Sequence, residues 1–205
     1  MNNLIFPRLF IMALAFNLSF LSITPAHAAD SIDVIFKQLK PSDLAKGEFL
    51  QKKHIAVLKQ PLISEGDFLF DTQYGVLWHT IKPFENKLII TKNKIMPAND
   101  PRQAIPLPAG FGELLPALIS GRFKSLQNDF TIEAVKENQG WRATLTPINA
   151  GLKSVLANIE ISGAAQPAVI KLKELNGDVT EIQLRNLSQP KALTDAERKI
   201  FELVK

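Results

Sequence analysis

The chain has 205 residues, with 24 basic and 20 acidic side chains, 46% apolar residues and no cysteine. The missing Cys excludes a disulfide framework, a thiolate metal site, a cysteine nucleophile and a lipid-modified N-terminal cysteine. A formal charge of +4 spread over so many charged groups is too mild an excess to mark a nucleic-acid binder.

Residues 1–28 carry a single charge, Arg8, and no carboxylate. An apolar run from Leu9 to Phe16 continues through Leu18, Phe20 and Leu21 to Pro25, and Ala26-His27-Ala28 offers small residues at the two positions a signal peptidase reads. This pattern predicts a cleaved export signal over 1–28 and a mature chain over 29–205. The rival reading, an uncleaved anchor, suffers because Leu9 to Ile23 falls short of the ~20 residues a spanning helix needs. The mature chain of 177 residues keeps 23 basic and 20 acidic groups, a charge of +3. The expectation is an exported protein without a membrane anchor, periplasmic if the source is a Gram-negative bacterium.

Ser31 to Leu39 places Ile32, Ile35, Phe36 and Leu39 at helical spacing, with Ser31 as N-cap and Pro41 beyond the end. The period then changes to two. Phe68 and Phe70 are followed, after a turn at Asp71 to Gly75, by Val76 and Trp78, which sets Phe68 opposite Trp78, Phe70 opposite Val76 and Asp67 opposite His79. Leu88 and Ile90 form another short strand. Five prolines between Pro97 and Pro116 predict a long surface connection, and Phe111, Leu114, Leu115, Leu118, Ile119 and Phe123 then recur at helical spacing, with Gly121 ending or kinking that helix. Phe130, Ile132 and Ala134 alternate with polar residues, Trp141, Ala143 and Leu145 follow, and Val155 to Ile161 alternates most cleanly. Between Ile170 and Leu184, a three-residue loop at Asn176 to Asp178 would pair Ile170 with Leu184 and Leu172 with Ile182. Thr194-x-x-Glu197 reads as a capping box before a last helix carrying Ile200, Phe201 and Val204. Together these predict one α+β domain: about 9–11 antiparallel strands in a curved sheet that forms a partial barrel, with helices over one face.

Catalytic chemistry is hard to find. His54 and His79 lie on separate predicted strands with no ligand spacing between them, and no nucleophile elbow, phosphate loop or dinucleotide fingerprint occurs. The expectation is no enzyme, no metal and no cofactor; a hydrolase would require a nucleophile and base that the sequence does not offer. Lys52-Lys53 and Lys92-Asn93-Lys94 are small basic groups, and Lys171, Lys173 and Arg185 share a strand face with Glu181, the mixed signs of a solvated sheet surface, so no nucleic acid is expected. For Lys52-Lys53, contact with an acidic partner or anionic lipid stays open beside that plain reading. The inward face collects Phe49, Phe68, Phe70, Val76, Trp78, Leu88, Ile90, Ile132, Leu145, Ile159, Ile170, Leu172, Ile182 and Leu184. It is either a filled core or the wall of an apolar cavity, and composition does not separate the two.

Phe49-Leu50-Gln51, Glu65-Gly66-Asp67-Phe68-Leu69-Phe70, Leu77-Trp78, Lys82-Pro83-Phe84 and Leu88-Ile89-Ile90 resemble the first half of the LolA family of outer-membrane lipoprotein carriers. Trp141 to Pro147, Ile159-Glu160-Ile161 and Ile170 to Leu184 are similar to its second half. The resemblance implies an unclosed barrel with a helical lid over an apolar cavity, and a monomeric carrier of acylated lipoproteins or other lipophilic cargo. Such a carrier moves cargo from an inner-membrane release complex to an outer-membrane acceptor. It implies that Phe49, Phe68, Phe70, Val76, Trp78, Leu88 and Ile90 line the cavity and that Phe111, Leu114, Leu115 and Leu118 belong to the lid. Two departures stand out: the family's Lys-Arg-Pro turn between the second and third strands reads Asp71-Thr72-Gln73-Tyr74 here, and a C-terminal helix is added. The alternative is a protein-binding scaffold domain with a solid core and no lipid.

Overall fold

The computed structural model describes Ile32, Ile35, Leu39 and residues 41–202. The predicted export signal, the Ser31 cap, Phe36 and Val204 lie outside the described residues. Eleven strands form one antiparallel sheet: β1 (Leu44–His54), β2 (Leu62–Asp71), β3 (Gly75–Lys82), β4 (Asn86–Ile90), β5 (Lys94–Pro97), β6 (Ile105–Pro106), β7 (Phe130–Glu137), β8 (Gly140–Pro147), β9 (Leu156–Gly163), β10 (Pro167–Glu174) and β11 (Val179–Ser188). Their order is β6-β5-β4-β3-β2-β1-β11-β10-β9-β8-β7, so the first long strand pairs with the last while β6 and β7 remain as separate edges. The sheet is therefore not closed. The proline-rich connection holds a short turn of helix at Pro101–Gln103 and the small edge strand β6. Three helices are added: α1 (Phe111–Ser120), α2 (Ala150–Lys153) and α3 (Asp195–Glu202).

Alternation sets which side chains share a face. Phe68 lies opposite Trp78, Phe70 opposite Val76 and Asp67 opposite His79, as the hairpin argument has it. The β10–β11 register differs from the sequence expectation. Ile170 faces Ile182 and Leu172 faces Thr180, two residues along from the pairing expected for a loop at Asn176 to Asp178. Gly177 decides this. At φ +89° it occupies the left-handed final position of a three-residue loop at Leu175, Asn176 and Gly177, closed by the Gly177 amide donating to the Glu174 carbonyl at 3.2 Å. Because the slide is two residues, every side chain stays on its expected face.

The sheet is apolar on both faces over its first half, which the one-sided expectation did not include. Leu69 faces Leu77, Leu77 faces Ile89 and Ile89 faces Met96, a stripe running straight across four strands on the outer side. The C-terminal helix covers it. Phe201, fully buried, packs into this second cluster with Leu44, and its ring stacks on Tyr74 with centroids 5.3 Å apart. The capping box forms: the Thr194 amide donates to Glu197 Oε2 at 2.8 Å, and the Glu197 amide donates to Thr194 Oγ1 at 3.3 Å. Lys46 on β1 adds an ion pair to Glu197 at 2.5 Å.

Elsewhere the outer face is solvated. Lys171 pairs with Glu181 at 3.5 Å, and Lys173 with Glu160, which holds the Glu160 carboxyl below its ordinary value. Such exposed pairs contribute little to stability. The docking of α3 contributes much more. Phe201→Ala is expected to destabilise the chain by about 3 kcal/mol, read by chemical denaturation; a loss under about 1 kcal/mol would mean that α3 does not hold the stripe.

Candidate functional site

The inward side chains of β1–β3 and β7–β11 converge with one face of α1 on a single apolar cluster. Phe49, Phe68, Phe70 and Val76 are at most 2% exposed and Trp78 is 8% exposed, while Leu88 and Ile90 pack against them partly buried. Trp78 stacks on Phe49 with centroids 3.9 Å apart and on Phe68 at 6.0 Å. The first contact spans β2, which separates β1 from β3 by roughly 10 Å. Gly66, opposite Phe49 on β2, sits at the irregularity of the β2–β3 ladder, where a Cβ would lie 1.9 Å from the His79 carbonyl oxygen, so only glycine lets β3 run this close. The alternation places both rings on the inward face; the irregularity at Gly66 had only one signal, a glycine inside an otherwise apolar strand.

Leu114 and Leu118 of α1 are buried in the same cluster, with Phe111 and Leu115 packed at its border. Just beyond the helix, Phe123 meets the Trp141 ring edge-on at 5.5 Å. Every residue expected in the cavity wall or lid thus belongs to this one cluster or packs against it.

Beyond its buried face, α1 is fastened at one end of the sheet by four contacts, one of them the Ser42 amide donating to the Ser120 carbonyl at 3.3 Å. Gly112 passes so close to the β4–β5 turn that a Cβ would lie 2.1 Å from the Lys92 carbonyl oxygen and 2.3 Å from that of Thr91. Lys92 pairs with Glu113 at 2.5 Å, and that carboxylate holds the ammonium above its ordinary value. Arg122, following the helix, donates to the Asp43 carboxylate. The Asp43 carbonyl in turn accepts from the Thr72 amide at 2.9 Å and from Thr72 Oγ1 at 3.0 Å, tying the β2–β3 turn to the same point. The turn that lacks the family's basic group is therefore joined through an arginine from the helix side.

An open cleft of about 1000 Å³ lies at this end, between the β2–β3 turn, the β4–β5 turn and α1. Phe70, Tyr74, Pro116 and Ala117 give it apolar walls, and Lys94, Arg122 and Ser125 line it among polar groups. Of the seven expected cavity residues only Phe70 reaches it. Asp71 spends its carboxylate on the turn, accepting from the Gln73 amide at 2.7 Å and the Tyr74 amide at 3.3 Å. Ser120, 4% exposed, also lines the cleft, and its hydroxyl finds no partner among the described residues.

The histidines sit elsewhere. His54 is exposed, and on the outer face His79 is bracketed by Asp67 at 3.0 Å and Glu85 at 3.2 Å. Among the described residues no group of three or more His, Asp or Glu side chains could hold a metal ion.

The profile of the family described as outer membrane lipoprotein carrier protein LolA matches residues 41–201. Among solved structures, a LolA superfamily protein from Nitrosomonas europaea is similar with a TM-score of 0.48 at 12% identity, over 82% of this chain and 94% of that one. A DUF1329 family protein from Desulfovibrio piger is similar with a TM-score of 0.43 at 10% identity, over 80% of this chain and 92% of that one. No match is found among curated proteins.

If backbone proximity at Gly112 is what seats the helix, Gly112→Leu must lift its N-terminal turn. Hydrogen exchange is expected to show lost protection over residues 111–120 while β8–β11 keep theirs. Unchanged protection in α1 would contradict this placement of the helix.

Proposed function

The chain belongs to the LolA family, and from that membership we propose that it is a periplasmic carrier that shields the acyl chains of lipoproteins, or of a related lipophilic cargo, between inner and outer membrane. The observation that carries this reading is the convergence of eight strands and the buried face of α1 on one apolar cluster. Moving an acyl chain through water costs about 0.8 kcal/mol per exposed methylene, so an escort must offer an equivalent apolar surface. Phe49, Phe68, Phe70, Val76, Trp78, Leu88 and Ile90 are the wall in this reading, and Phe111, Leu114, Leu115 and Leu118 the lid. The cargo-free interior closes on itself because an empty apolar cavity forfeits packing. Loading then requires α1 to swing, and glycines with positive φ, Gly110 at +87° and Gly121 at +72°, flank it as hinges. Export by the signal over 1–28, action as a monomer, and hand-off from an inner-membrane release complex to an outer-membrane acceptor complete the proposal. No covalent step is needed, in keeping with carriers that are not enzymes. No helix among the described residues is long and apolar enough to cross a membrane.

A second reading rests on the stack of Trp78 against Phe49: a solid-core domain that engages a protein partner through an open edge, β6 or β7. Native mass spectrometry of protein exported and purified without detergent separates the two. The carrier reading predicts bound lipid on the wild type, retained or increased in Phe49→Ala, which removes one half of the stack, and lost in Trp78→Glu. Wild type and Phe49→Ala both free of lipid would favour the solid core.

A further inference from the structure

Nine of the eleven large apolar side chains exposed among the described residues lie at one end of the sheet; the other two, Ile105 and Val135, sit on the edge strands β6 and β7. The topology explains the gathering. The β3–β4, β1–β2, β10–β11 and β8–β9 connections all emerge at this end, opposite the cleft, in the order of neighbouring strands. With strands about 4.8 Å apart, successive hairpin tips follow at roughly 10 Å. Phe84 is 82% exposed on the first, Val57 88% and Leu58 49% on the second, Leu175 60% on the third, and Ile148 46% and Val155 40% on the fourth. Two bonds hold neighbouring tips together: the Ala56 amide donates to Asp178 Oδ1 at 3.0 Å, and the Leu175 amide donates to the Val155 carbonyl at 2.9 Å. Apolar side chains on four adjoining tips make a continuous rim, which isolated surface residues do not.

The charge around this rim has a sign. Over residues 52–65, 81–87, 148–155 and 173–178 there are seven lysines and four carboxylates. Each of the four acids is already in an ion pair, Glu65 with Lys82, Glu85 with Lys87, and Glu174 and Asp178 with Lys53. Lys59 and Lys153, on the second and fourth connections, form no ion pair among the described residues. Apolar tips that project beyond a surplus of lysines match the two layers of a bilayer surface, acyl chains below and phosphates above.

We propose that this end of the sheet docks on the surface of an anionic phospholipid bilayer, with Phe84, Val57 and Leu58 entering the interface and Lys59 and Lys153 meeting lipid phosphates. The cleft at the other end then faces water. The docking stands on the rim's own geometry and charge, whether or not the interior takes acyl cargo.

The test is flotation of the exported full chain with vesicles of phosphatidylcholine alone or with roughly 30 mol% phosphatidylglycerol. Wild type is expected to bind the anionic vesicles roughly tenfold more tightly than the neutral ones, the difference shrinking with salt. Val57→Asp/Phe84→Asp, at exposed tips where folding is untouched, is expected to lose binding to both by roughly tenfold or more. Lys59→Gln/Lys153→Gln is expected to reduce anionic binding to the neutral level. Equal flotation of wild type and the aspartate variant overturns the proposal, as does a wild type that ignores vesicles. A chain that self-associates through the rim without binding vesicles overturns it in favour of a second copy as the occupant.

Discussion

The ladder between β1 and β11 is the contact on which the rest of the molecule depends. It joins the two ends of a long chain, with Phe49 opposite Leu184, and it turns two separate meanders into one eleven-stranded sheet. Because strands twist, a sheet of that width curls, and curling brings β2 and β3 to face β8 to β10 across one apolar interior. Without this pairing, each half would leave its inward face bare. The pairing also sets polarity end to end. Four of the hairpin connections on one rim carry exposed apolar tips, and the turns on the other rim border α1 and the open cleft.

Period-two alternation was enough to read the β2–β3 hairpin, but it failed at the start of β9, where an irregularity in the ladder with β10 leaves Val155 and Ala157 exposed and buries Leu156. Phe68, Trp78, Val76 and Phe70 occupy the positions their alternation assigns, and the helix over residues 111–120 follows its three- and four-residue spacing. Two things were not legible. In the Ile170 to Leu184 hairpin the more apolar register, Leu172 opposite Ile182, gives way to one with Leu172 opposite Thr180, and the choice falls to the left-handed backbone of Gly177, which an apolar pattern does not encode. The outer stripe of Leu69, Leu77, Ile89 and Met96 was in plain view as apolar residues between apolar residues. Its meaning depends on a helix more than a hundred residues away in sequence. The residues expected along the wall and cover fall in or against one apolar cluster; how closely they pack is a property of volumes, which a pattern does not contain.

A packed interior and a carrier's interior are compatible in energy terms. The stack of Trp78 on Phe49 and the inner face of α1 make an apolar volume that is stable when filled by its own side chains. It can exchange those contacts for acyl chains if the helix moves. The attachments of α1 outside the core are few: one backbone approach at Gly112, ion pairs at Glu113 and Arg122, and the Ser42 amide donating to the Ser120 carbonyl at 3.3 Å. Exposed ion pairs are worth little, so these attachments are weak beside the ladders of the sheet. The second apolar cluster, under α3, braces the outside of β2 to β5.

Photocrosslinking with a diazirine-bearing fatty acid, followed by mapping of the modified residues, tests the central claim most directly. The account predicts adducts on the inward face, at Phe49, Trp78 and Leu118, and their loss when unlabelled lipid competes. Adducts confined to the outer surface, or none at all, would contradict it.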